Sequence, residues 1–218
     1  MERAYGLEVP QTLEEACDPA KLALIVYDMQ VGIVRQLGDV AELTVKILKV
    51  IDAAREAGVR VVFTRHMSLP NELAGVFQLR TAMSWQKVAR AEDVTPWFLR
   101  DSPGFQLVGE VAPRSSEAIL DKITMSAFEG TPLAMVLRDC GLRAFAIVGI
   151  AIEVGIEPTV RHGTDLGFIP IVVSDACGAG DEAAAERALA NLRFTGDAFV
   201  TDCETFCEAL QLAKSPSA

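Results

Sequence analysis

The chain has 218 residues, half of them apolar, and a formal net charge of −10. That length suits one large domain over residues 1–218 better than two small ones, and the apolar share is enough to cover both faces of a sheet. The acidic balance argues against nucleic acid and anionic membranes as partners, and no apolar run reaches the roughly 18 residues of a membrane span.

Residues 1–20 read as an irregular lead-in, without the apolar centre of a signal peptide, so a cytoplasmic location is the default expectation. Leu22–Tyr27 (LALIVY) is a short β-branched apolar run, the pattern of a buried strand. Asp39–Ala57 has helical periodicity, and Gly58 stops it. Val59–Thr64 is a second strand. Residues 67–115 are irregular, punctuated by Pro70, Pro96, Pro103 and Pro113, with one helix expected near 72–90. Ala118–Lys122 reads as a strand end. Thr131–Pro132 reads as an N-cap and first helical residue, opening a helix that Gly141 closes. Ala144–Gly149 is a strand, 153–166 a helix, Phe168–Ser174 a strand and 181–193 an Ala-rich helix. A short strand at Ala198–Thr201 and a helix from about Glu204 to Ala213 precede an SPSA tail, with 214–218 outside the folded part.

Strands that are apolar throughout, each followed by a helix, predict a doubly wound α/β fold: a mostly parallel six-stranded sheet with helices on both faces. Ligands of such sheets bind outside the carboxyl ends of the strands. The polar residues placed there are Asp28, Lys122 and Asp175, together with the Ile150–Gly155 segment. Asp28 and Lys122 could form an acid–ammonium pair that holds a proton near neutral pH, or they could be a turn cap and a solvated lysine. A helix opening near Glu153 would aim free N–H groups at the same place. Arg65 and Arg161 are candidates for gripping a carboxylate, or ordinary surface ion pairs. Cys177 is a candidate displaced nucleophile or a small buried residue. The GAG at 178–180 lacks the full dinucleotide spacing and reads as a turn. Trp85, Trp97 and Phe105 could wall a pocket, pack in the core or meet another subunit. The five cysteines follow no disulfide framework, which favours free thiols.

Taken together, ALIVYDMQ (23–30), VVFTRH (61–66), PGFQLVGEVAP (103–113), DKITMSAFEGTPL (121–133) and VGIAIEVG (148–155) resemble the isochorismatase-like hydrolase superfamily, also called the cysteine hydrolases. The resemblance spans most of the chain in the right order. It implies a parallel doubly wound fold and a hydrolase. It makes Asp28 and Lys122 the catalytic pair and puts a cis peptide at Ile150–Ala151. Ile150, Ala151 and Gly155 would supply oxyanion or backbone contacts, and Gln30, Arg65, His66 and Phe128 would bind substrate. The superfamily's nucleophilic Cys maps onto Gly155, which has no side chain to attack a carbonyl.

Members without this Cys cleave a vinyl ether: the Asp protonates the enol-ether carbon and water captures the oxocarbenium ion. The resemblance therefore implies acid-catalysed hydrolysis of a small metabolite such as a vinyl ether of the isochorismate type. No metal and no cofactor are expected, since His66 and His162 are too few for the superfamily's metal-binding His cluster. The expected partners are a small-molecule substrate and further copies of the chain, as a homodimer or homotetramer. Val31-Gly32-Ile33 replaces a stretch that is often aromatic in relatives. With the missing Cys, it leaves a second reading open: a catalytically inactive relative that binds a ligand or acts in an oligomer. If the scaffold is a former amidase, Gly155→Cys would restore weak amide hydrolysis.

Overall fold

The computed structural model describes residues 1–38 and 40–214. The lead-in is ordered, correcting the expectation of irregular chain. It forms an antiparallel hairpin of β1 (Glu2–Ala4) and β2 (Leu7–Val9), then a one-turn helix α1 (Leu13–Ala16). Tyr5 and Gly6 take φ values of 53° and 79°, the left-handed pair that a two-residue hairpin turn needs. Thr12 caps α1 by accepting from the Glu15 N–H.

The main body runs β3 (Leu22–Tyr27), α2 (Val31–Val34), α3 (Ala41–Ala57), β4 (Arg60–His66), α4 (Val76–Gln86), β5 (Ala118–Lys122) and α5 (Leu133–Asp139). It continues with β6 (Ala144–Ile150), α6 (Glu157–Asp165), β7 (Ile169–Gly178), α7 (Glu182–Thr195), β8 (Phe199–Thr201) and α8 (Cys203–Lys214). The six strands β3 to β8 form one parallel sheet in the order β5-β4-β3-β6-β7-β8.

Successive residues of a strand point to opposite faces, and here both faces are dry. Leu22, Leu24 and Val26 pack under α3 and α8, against Ile47, Ile51, Phe206 and Leu210. Ala23, Ile25 and Tyr27 pack on the other side, against Leu133, Leu137, Val160 and Leu192 of α5, α6 and α7. This double burial is why LALIVY shows no polar alternation. Each such aliphatic side chain taken from water contributes about 1.5–3 kcal/mol. Helix α3 buries Ile47, Val50, Ile51 and Ala54, one stripe at helical spacing, and Gly58 caps it at φ 78° as its position predicts.

Some boundaries differ from the sequence reading. Helix α4 covers less than 72–90, and the rest of 67–115 is mainly single 3-10 turns and loops. Helix α5 starts at Leu133, one residue later than expected, because its first backbone bond runs from the Val136 N–H to the Pro132 carbonyl; the Thr131 hydroxyl accepts from the Leu133 N–H at 3.2 Å. Helix α6 starts at Glu157, after a π-helical turn over Ile152–Ile156. Asp39, the expected first residue of its helix, and residues 215–218 of the expected tail lie outside the described residues. Among the described residues no helix is long and apolar enough to cross a membrane.

Strand order reverses between the neighbours β3 and β6. A crevice forms at the carboxyl ends of strands where the order reverses. Here that places Asp28 beside the turn that follows Ile150.

Candidate active site

Asp28 leaves the end of β3 with φ 48°, and Lys122 is the last residue of β5. Strand β4 lies between them and contributes Thr64 and His66. The Lys122 Nζ donates to Asp28 Oδ2 at 2.7 Å and to the Thr124 carbonyl at 3.2 Å. It also sits 4.3 Å from the centre of the Tyr27 ring. Asp28 is 3% exposed and Lys122 2% exposed. Removing two charges from water is costly unless each finds hydrogen bonds. Thr64 supplies one, donating to Asp28 Oδ1 at 2.6 Å. Burial lowers the Lys122 pKa from the ordinary lysine value, and the Asp28 carboxylate opposes that shift.

Gly155, the position expected for a nucleophile, lies in the π-helical turn, and the Ile150–Ala151 peptide before it is cis. The place beside Gly155 is not empty. A Cβ there would overlap the hydroxyl and ring of Tyr27. Tyr27 is buried, and its hydroxyl donates to the Met125 carbonyl. The expectation of a free oxyanion N–H at Gly155 is corrected as well. The N–H groups of Gly155 and Ile156 both donate to the Ala151 carbonyl, at 3.0 and 3.1 Å, because the wide turn folds them back. Ile150 pairs with Gly178 on β7.

The residues expected to bind substrate divide. His66 is beside the pair. Burial first, and Lys122 second, push its pKa down to about 4, so the ring is neutral at pH 7. Gln30 is fully buried and its amide serves the backbone, which corrects the substrate-binding expectation. It accepts from His66 N–H at 2.6 Å and donates to the carbonyls of His66 at 3.0 Å and Phe105 at 2.9 Å. Arg65 points to the other face of β4, bonds Asp121 at 2.8 Å and covers the Phe105 ring at 4.2 Å. Arg161 is held by Glu157 and Asp197. Phe128 stacks on Phe168 with ring centres 5.5 Å apart and packs in the core rather than in a pocket.

Cys177 is a buried thiol bonded to the Ile147 carbonyl, and burial raises its pKa, the opposite of what a nucleophile needs. Of the GAG segment expected to be a turn, Gly178 ends β7, and Gly180 with the following Asp181 donates N–H groups to Glu153 Oε1. The sequence reading did not single out Tyr27, Thr64 or Met125. An aromatic residue ending an aliphatic run, directly before Asp28, was the available signal for Tyr27.

A cavity of about 80 Å³ opens beside the pair, under α4. His66, Trp85, Trp97, Phe98, Ile123 and Met125 are in its wall, and among the described residues no Lys, Arg, Asp or Glu lines it. His66 and Met125 are common to the cavity and to the surroundings of the pair. Among the described residues, no group of three His, Cys, Asp or Glu side chains is placed to hold a metal ion.

Residues 22–205 match the model of the isochorismatase domain, so the chain belongs to that family. The chain is similar to a cysteine hydrolase from Pseudomonas syringae pv. phaseolicola 1448A, at 25% identity and a TM-score of 0.77, over 89% of this chain and 94% of that one. It is also similar to an isochorismatase family protein from Desulfovibrio vulgaris (22% identity, TM-score 0.75, 88% and 98% covered). An N-carbamoylsarcosine amidase from Thermoplasma acidophilum shares the fold (24% identity, TM-score 0.67, 84% and 97% covered). Family and neighbours together make this chain an isochorismatase-like hydrolase.

Proposed function

We propose that the chain is a cysteine-independent hydrolase that uses Asp28 and Lys122 to cleave a small vinyl ether by acid catalysis, with Gly155 standing where relatives carry a nucleophile. The carrying observation is the buried 2.7 Å contact between Lys122 and Asp28, beside a place with no thiol. The same heavy-atom geometry serves ammonium with carboxylate or amine with carboxylic acid. Burial of Lys122 makes passage of the shared proton to Asp28 easier. Asp28 then gives that proton to the enol-ether carbon. Water adds to the oxocarbenium carbon and returns a proton to the pair. The resulting hemiketal or hemiacetal collapses to a carbonyl compound and an alcohol.

The uncharged wall of the neighbouring cavity supports an uncharged substrate over a dicarboxylate such as isochorismate. The test supplies isochorismate and phenyl vinyl ether in parallel, following pyruvate and acetaldehyde release. Turnover of the uncharged ether is expected, falling at least about 100-fold in Asp28→Asn. Equal rates in the two proteins would remove Asp28 from the mechanism.

A second reading, a ligand-binding relative without catalysis, is favoured by the near-complete burial of Asp28 and Lys122. It predicts ligand binding with no turnover of either ether. Self-association as a homodimer or homotetramer is supported by Val76 and Phe77 on α4, which are 86% and 64% exposed. Sedimentation of the purified chain tests it, and a monomer at all concentrations would refute it.

A further inference from the structure

We propose that Tyr27 sets the reaction class of this site: its side chain occupies the seat of a thiol nucleophile, and residue 155 is glycine because Tyr27 is there. This rests on the reading of Gly155 as the nucleophile position.

A glycine can be required by backbone conformation or by lack of space. Gly149 shows the first requirement, with φ 123°. Gly155 is not among the positive-φ residues, so its backbone conformation does not call for glycine. Only space forbids a side chain. The obstruction is the hydroxyl, Cζ and Cε1 of Tyr27, part of one rigid ring.

That ring has nowhere to go. Tyr27 ends β3, a central strand paired with β4 on one side and β6 on the other. Its hydroxyl is tied to the Met125 carbonyl, and its face carries the Lys122 ammonium at 4.3 Å. Thr159 closes the other side, donating to the Gly155 carbonyl at 2.7 Å and accepting from Ala127 N–H at 3.0 Å. A thiol at 155 would need a shift of several well-packed groups, which dense interiors resist.

Tyr27 therefore has two effects. It is specificity-determining, because an acyl carbon cannot approach residue 155 through the ring. Its π-face also covers the Lys122 ammonium, which Asp28 and the Thr124 carbonyl hold independently of the ring. A small residue at 27 with Cys at 155 would return the site to thiol chemistry.

The experiment compares wild type, Gly155→Cys, Tyr27→Val/Gly155→Cys and Tyr27→Ile/Gly155→Cys, each by thermal unfolding and by alkylation with iodoacetamide read at position 155 by mass spectrometry. Gly155→Cys is expected to lower Tm by at least about 8 °C. Either double variant is expected to regain at least half of that loss. In them the introduced thiol should react at least about 10-fold faster than any native cysteine, with an apparent pKa below about 8, because the Lys122 ammonium on the ring face would border the space that the ring leaves. The pKa of that thiol reads the charge facing the place that the ring leaves, which a gain of space alone would not set. Gly155→Cys as stable as wild type would overturn the proposal. So would double variants as unstable as the single one, or an introduced thiol no more reactive than the native ones. None of these readouts uses a natural substrate, so inactivity towards vinyl ethers leaves the inference standing, and its failure leaves the hydrolase reading standing.

Discussion

Thr64 and Asp28 hold each other by two hydrogen bonds. The Asp28 N–H donates to Thr64 Oγ1 at 3.2 Å, and the Thr64 hydroxyl donates back to Asp28 Oδ1 at 2.6 Å. One hydroxyl thus supports both the left-handed backbone of Asp28 and one of its carboxylate oxygens. Thr64→Val keeps the shape and removes the hydroxyl, leaving a buried donor and acceptor short of a partner. We expect a loss of about 1–3 kcal/mol by urea unfolding. A change below about 0.5 kcal/mol would show that the two bonds hold nothing.

Lys122→Met leaves the Asp28 carboxylate buried without its cation, a change expected to cost about 3–5 kcal/mol. Asp28→Leu/Lys122→Met removes both charges and should cost much less than the two single losses added. A double-mutant cycle in guanidinium measures the difference. Simple additivity would mean the pair is not coupled.

His66 titrates near 4 in the folded protein, below the ordinary value of 6.5. The unfolded chain therefore binds a proton at this site as pH falls through 6.5, while the folded chain stays neutral until about 4. Stability from this residue is complete above that window and is lost on acidification through it. Allowing for partial exposure of the ring, the loss is about 2–3 kcal/mol. Unfolding free energies of wild type and His66→Gln, measured from neutral pH down towards the folded-state value of about 4, should diverge by that amount. Parallel curves would exclude the shift.

Gln30→Leu tests the amide that joins three backbone groups. His66 N–H, His66 C=O and Phe105 C=O would lose their partner together. The expected cost is about 2–4 kcal/mol, with faster hydrogen exchange at His66. Unchanged exchange there would argue against the clamp.

The sheet was legible because strands buried on both faces leave no other pattern than runs such as LALIVY and AFAIVG. Asp28 and Lys122 were legible because their positions follow from where such runs end. The local chemistry of Gln30, Arg65 and Phe128 pointed to ligand contact, but the first bonds backbone, the second bonds Asp121 and the third packs in the core. Polar or aromatic character does not say which way a side chain faces. The Tyr27–Gly155 relationship was not legible at all, since no local pattern links two residues that meet only after β3 and β6 pair. The lead-in hairpin was missed because its strands are three residues each, too short for periodicity.

The cavity under α4 has a further consequence for anyone handling this protein. The chain contains two tryptophans, and both, Trp85 and Trp97, are in that wall. Its ultraviolet emission therefore comes almost wholly from one place. Any molecule that enters the cavity, or any opening of α4, will act on the entire indole signal without dilution from distant rings. The protein carries its own optical reporter beside the Asp28–Lys122 pair.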